Sequence, residues 1–345
     1  VAILAACGKN TEKTMQQPGG KPGAAGPPDT TALARKDRVL VVNSYHAGFG
    51  PNRGLTDGIL GVFDVVRETD GSLDCSRSDV TLDIFYMDTK RNPAEEYKRS
   101  AALRAKALID SWKPDVVIAT EDNAARYCIA PYFKNTTLPV VFCGINWDAS
   151  VYGFPCENVT GMIEVHLLDH LVELLKPHAT DSTVIIISSD TESARKSRPY
   201  WSDMLPSLAA IHFTKTFAGY RTLFLDAQRR AGIVIVMEIT SLHGFSSSAF
   251  ARFMTRHARV PTGGISASQS VGVLATCAQV PEEMGRWAAH AARRILDGTP
   301  PAAIPVAQNK RAKIYLNMAM ARKMGIVFPG ELIEVATFTE TETGP

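Results

Sequence analysis

Nearly every short apolar run in this chain is followed by polar or aromatic residues able to hold a small molecule. Ser44 and Tyr45 follow the first run, Asp122 and Asn123 the third, and Asn146 and Trp147 the fourth. Further on, Asp190 and Thr191, then Glu238, then Ser266 occupy the same kind of position, and Glu164 closes the stretch Asn158–Glu164. The chemistry on offer is capture. Asp122, Asp190 and Glu238 suit an ammonium group, and Tyr45 and Trp147 offer flat faces to a ring or a cation. Where such residues precede helices, the first-turn amides suit a carboxylate or phosphate. Helix capping is the competing explanation for Asp122, Asp190 and Ser246. It does not account for Tyr45, Asn146, Trp147 and Glu238 together, so the set is read as a ligand cleft.

Catalytic patterns are thin. The sequence has no GxSxG, no GxxxxGK[ST], no HExxH and no GxGxxG after a strand. No nucleophile and base stand out, and no cofactor or metal is called for. His166 and His170 have a helical metal-ligand spacing, but Glu173 shares their face opposite an apolar side, so a solvated polar face is expected. Cys128 reads as core. Cys143 and Cys156 flank the loop after the fourth run. They are a candidate disulfide in an oxidising compartment, with two buried thiols the simpler alternative. A net charge of +2 gives no basic surplus for nucleic acid, and no apolar run is long enough to span a bilayer.

The elements that must place these residues alternate. Apolar runs at 38–43, 80–86, 115–120 and 139–142 read as buried parallel strands, with helical patterns at 54–67, 93–112 and 122–133 between them. The alternation resumes with strands at 182–187, 210–216, 232–237 and 260–265 and helices at 191–208, 220–230 and 246–257. A helix at 281–296, a strand at 312–316 and a helix at 317–324 complete it. Two doubly wound parallel-sheet lobes follow, with ligands expected beyond the carboxyl ends of the strands. The stretch Pro139–Glu164 lies between the halves, where a hinge belongs.

The first residues carry a different signal. Leu4-Ala5-Ala6-Cys7 resembles a lipobox closing a secretory signal, with Cys7 the acylated residue. The Gly/Pro-rich segment 8–37 reads as a disordered tether. Together they describe a body held by a lipid at a bacterial membrane, in the periplasm or at the cell surface.

Several motifs resemble the ABC-transporter substrate-binding family with the type 1 periplasmic binding fold, in the branch with tryptophan/tyrosine transporter components. They are Val39–His46, Tyr86–Arg91, Pro114–Ala124, Pro139–Trp147, Asn158–Glu164 and Ile314–Pro329. The chain departs from the pattern at Gly50-Pro51, where an aromatic residue is expected after the Ser44-Tyr45-His46 turn. The resemblance implies two lobes joined by three crossings near Asn158–Glu164, Thr276–Pro281 and Pro301–Leu316. One lobe would comprise 38–160 with 278–302, the other 161–277 with 303–336, and 337–345 would be a flexible tail. It implies a monomeric, non-enzymatic protein that captures a small solute, amino-acid-like in character, and delivers it to an ABC transporter permease. A ligand-sensing module working with a separate membrane receptor, such as a sensor histidine kinase, is the second reading.

Overall fold

The computed structural model describes residues 35–340. Cys7 with its lipobox, nearly all of the expected tether and residues 341–345 lie outside them.

The first lobe is built on a six-stranded parallel sheet. Its strands are β1 (Asp37–Asn43), β4 (Val80–Tyr86), β5 (Val116–Thr120), β6 (Val140–Asn146), β7 (Val159–Glu164) and β13 (Ala307–Gln308), in the order β13-β7-β6-β5-β1-β4. A short ribbon, β2 (Val66–Arg67) with β3 (Leu73–Asp74), sits apart. β5 is buried along its whole length, as expected of a parallel strand covered on both faces. One face carries α1 (Gly50–Phe63) and α9 (Pro281–Leu296). These two helices touch backbone to backbone, and a Cβ on Gly285 would stand 2.0 Å from the Leu55 carbonyl oxygen. The other face carries α2 (Glu95–Trp112) and the segment α3 (Glu121–Asn123), a π-helical turn Ala124–Ile129, and α4 (Ala130–Tyr132).

The second lobe has a seven-stranded sheet. Its strands are β8 (Val184–Ser189), β9 (Leu208–Thr214), β10 (Ile233–Val236), β11 (Thr262–Gly264), β12 (Ala275–Gln279), β14 (Ala312–Asn317) and β15 (Thr337–Thr339), in the order β15-β14-β12-β11-β10-β8-β9. Only the β12–β14 pair is antiparallel. Its helices are α5 (Leu168–Leu175), α6 (Glu192–Met204), α7 (Phe217–Arg230), α8 (Ser247–His257), α10 (Met318–Met324) and α11 (Gly330–Val335). One continuous apolar core, with Trp201, Tyr220, Phe224 and Phe250 fully buried, joins them.

Several details differ from the sequence reading. β6 runs on through Asn146, because a bulge at Gly144 (φ +77°) absorbs the break that the glycine suggests. All of β7 belongs to the first sheet, so the first crossing comes after Glu164, at Val165–Leu167. The second falls at Val280, between β12 and α9 and inside the expected stretch Thr276–Pro281. β13 pairs with β7 in the first sheet, which places the third crossing between Gln308 and Ala312. Residues 337–339 are not a free tail but a strand paired with β14. Cys143 and Cys156 are free thiols. Successive residues of a strand face opposite sides, and Cys143 points into the α1/α9 core while Cys156 packs with the core on the other face. His166 precedes α5 instead of riding on its wet face. Its Nδ1 accepts a hydrogen bond from the buried Trp201 indole at 3.0 Å, and burial lowers its pKa to about 4.

The three crossings meet at the backbone of one residue, Val165. The Val165 N–H donates to Asn309 Oδ1 (2.7 Å), and the Val165 carbonyl accepts from Asn309 Nδ2 (3.1 Å) and from Gln279 Nε2 (2.8 Å). Gln279 ends β12 and Asn309 follows β13. One residue from each of the second and third crossings therefore clasps the first.

Candidate functional site

A cavity of about 470 Å³ opens between the lobes beside this clasp. From the first lobe it is lined by the start of α1 (Gly50 to Asp57), by Glu121 and Glu164, and by the start of α9; from the second by Ile265–Ala267, Gln279, Lys313 and Tyr315. Of the residues singled out in the sequence, Glu164 and Ser266 line it directly. Its volume suits an amino-acid-sized molecule.

The first-lobe wall is assembled from the ends of β1, β5, β6 and β7. Ser44 is buried and serves the scaffold: its Oγ donates to the Thr120 carbonyl (2.6 Å) and accepts from the Ala124 N–H (2.7 Å). Asn123 donates to Thr89 Oγ1 at 2.8 Å. Asp122 is fully engaged, accepting from Asn146 Nδ2 and from the Tyr152 hydroxyl, each at 2.7 Å. Tyr45 sits edge-on to Phe49 with centroids 5.2 Å apart, and Lys90 Nζ lies 5.4 Å from its ring centre. Burial, and then the charges of Glu121, Asp122 and Glu164, push the Tyr45 phenol far up.

The sequence reading favours Asp122 and Asn123 and passes over Glu121, which the structure puts at the cavity instead. Glu121 is 7% exposed, lines the cavity, and holds a left-handed backbone conformation (φ +68°) that non-glycine residues rarely adopt. Its carboxylate has no hydrogen-bond or ion-pair partner among the described residues. The bulge at Gly144 makes room for it, since a Cβ there would stand 3.3 Å from Glu121 Cδ. Burial above all, then the fields of Glu164 and Asp122, raises its pKa well above the carboxylate range, against a lowering pull from Lys90. Glu164 is raised to about 7 by burial and by Asp122, opposed by a hydrogen bond from Gln279. The signal in the sequence is position: Glu121 is the first residue beyond β5.

Trp147 does something else. Its backbone is also left-handed (φ +63°), and its N–H donates to the Glu164 carbonyl at 2.9 Å. The ring leaves the first lobe and packs into the core of the second, stacked on Tyr200 (5.0 Å, 7°) and edge-on to His166 (5.1 Å). Its indole N–H donates to Ser197 Oγ at 3.0 Å. The face expected to meet a ligand meets α6.

In the second lobe the remaining candidates are locally committed. Thr191 caps α6 by accepting from the Ala194 N–H (3.2 Å), and Asp190 pairs with Arg195 (2.5 Å). Glu238 Oε1 closes its own turn by accepting from the Thr240 N–H and hydroxyl, both at 2.6 Å. Ser266 caps the 3-10 turn Ala267–Gln269 in a reciprocal arrangement with Gln269. Among the described residues no three His, Cys, Asp or Glu side chains converge as a metal site, and no helix is long and apolar enough to cross a membrane.

Residues 228–340 match the family model described as ABC transporter substrate binding protein. No curated protein matches the sequence. Among solved structures, the ligand-free, open form of a substrate-binding protein with adhesive properties from Clostridium difficile is similar at 17% identity. That match covers 89% of this chain and 100% of the other, with a TM-score of 0.66. An ABC domain in complex with L-Trp from Streptococcus pneumonia is similar at 16% identity over 88% of this chain and 99% of the other, TM-score 0.58. A conserved domain protein from Vibrio cholerae is similar at 16% over 88% and 100%, also TM-score 0.58. At these identities the likeness speaks for the fold: two α/β lobes of the type 1 periplasmic binding kind.

Proposed function

We propose that the chain is a substrate-binding protein of the ABC transporter family whose model matches residues 228–340, and that it captures a small, amino-acid-like solute between its lobes outside the cytoplasm and delivers it to a transporter permease. On this reading it binds its solute and does not turn it over. The observation that carries the reading is the cavity beside the hinge, lined by both lobes and floored by the strand ends of the first. A solute touching both walls is bound better by the closed form than by the open one, and that difference in affinity drives closure. The L-Trp held by the pneumococcal neighbour makes an aromatic amino acid the first solute to try. We also propose that Cys7 carries the lipid and that the body works as a monomer tethered to the membrane.

The test is to purify the protein natively, denature it, identify released small molecules by mass spectrometry, and titrate them back by calorimetry. Stoichiometric rebinding of a released solute supports capture. Turnover of the solute, or the absence of any binder among released and amino-acid-like compounds, overturns it.

A further inference from the structure

We propose that Glu121 and Glu164 together form a seat for an organic cation on the first-lobe wall, so that the captured solute turns an ammonium, amidinium or guanidinium group toward them. The inference rests on the capture reading above and deepens it.

The two carboxylates reach one cavity from neighbouring regions of a single sheet. Glu164 ends β7, which pairs with β6, and Glu121 follows β5, which pairs with β6 on its other side. Asp122 stands next to Glu121 in sequence, yet its oxygens are consumed by Asn146 and Tyr152. Glu121 has no such partner, although more than nine-tenths of the residue is withdrawn from solvent. A buried carboxylate without a partner is costly unless something supplied from outside completes it. The backbone is also set against its own preference to hold it there, with Glu121 in the left-handed region and Gly144 hollowed beneath it. Strain of this kind persists where the surroundings impose it, characteristically at ligand clamps.

The cation whose field acts on Glu121 does not complete it. Lys90 is placed over the Tyr45 and Phe49 rings, 5.4 and 5.1 Å from their centres, and makes no ion pair with the carboxylate. With no third metal-binding side chain converging on the pair among the described residues, two separated carboxylates suit a nitrogen cation with several donors better than a metal ion. Leu55, Pro281, Met284 and Ile265 line the same cavity and give the rest of such a solute an apolar bed.

Thermal-shift and calorimetric titration of the full chain against matched compounds tests this. Tryptamine, agmatine and L-tryptophan carry the cation, N-acetyl-L-tryptophan masks it and indole-3-propionate lacks it. Binding is expected to require the protonated nitrogen, with masking or deletion lowering affinity roughly 30-fold, in line with a hydrogen-bonded charge. Glu121→Gln and Glu164→Gln keep the shape and remove the charge. Each is expected to lower affinity for the cationic compounds at least about tenfold while the melting temperature holds or rises. Masked or deaminated compounds that bind as well as their parents overturn the cation seat and leave solute capture standing, and so do unchanged affinities in both variants. If no compound of any charge shifts the protein, the seat and the capture reading fall together.

Discussion

Glu164 makes the cleft answer to pH. Its pKa is raised to about 7 in the folded protein from an ordinary value near 4.5, with burial the chief cause, and Glu121 is raised in the same direction. The folded state therefore holds extra protons between those values. The stability contributed by the neutral Glu164 carboxyl is complete below about pH 4.5 and is lost as pH rises through about 7. The charges that act on this pair are Lys90 after β4 and Asp122 beside Glu121, with Gln279 of β12 lowering Glu164, and the pair in turn pushes up the Tyr45 phenol after β1 and the Cys143 thiol on β6. A bound cation displaces those protons. Affinity for a cationic solute should thus rise from about pH 5 to about 8, with proton release read by calorimetry in buffers of different ionisation enthalpy. A pH-independent affinity would contradict the assignment of Glu164. Melting curves of ligand-free Glu164→Gln should lose part of the decline seen between about pH 5 and 7. Trp147 makes a different prediction. Its ring is core, so Trp147→Ala should cost about 3–5 kcal/mol in chemical denaturation, as for other large aromatic truncations. A variant that keeps full stability and loses only ligand affinity would show that the ring serves the cleft after all.

The strands and most helices were legible because parallel strands buried on both faces leave continuous apolar runs, as at Val39–Val42 and Val184–Ile187. What escaped has physical reasons. β15 is three residues long, and two of its three residues are exposed, so no run announces it. The short α11 buries no side chain, and Asn309 clasps a backbone unit 144 positions away. Left-handed backbone at Glu121 and Trp147 leaves no mark in composition, so strand-end position found the neighbourhood but not which side chain faces the cavity. At this scale the Val165 clasp is the element most open to test. Asn309→Ala strips the buried Val165 N–H of its partner and should cost about 1–3 kcal/mol. Hydrogen exchange at 163–166 and 309–311 should quicken more than within either sheet. Gly285→Ala should act on another element, forcing α9 off α1 and lowering stability by about 1–3 kcal/mol through overpacking. A Gly285→Ala chain as stable as the parent would mean that the two helices part without cost.

Across the whole molecule, the first lobe holds the carboxylates and the second brings Ser266, Lys313 and Tyr315 to the other side of the cavity. Solute binding should therefore narrow the body in small-angle scattering. Clamping between lobes should also raise the melting temperature with solute concentration, as any ligand selective for the folded state does. Of the four tryptophans, Trp112 and Trp287 pack within the first lobe and Trp201 within the second, while Trp147 leaves one lobe and stacks on Tyr200 of the other. Its indole N–H, bonded to Ser197, rides on the same junction. The protein thus carries its own optical gauge. Subtracting the emission of Trp147→Phe isolates a fluorophore whose colour and quenching follow the angle between lobes, so opening and closing can be timed in an unlabelled sample.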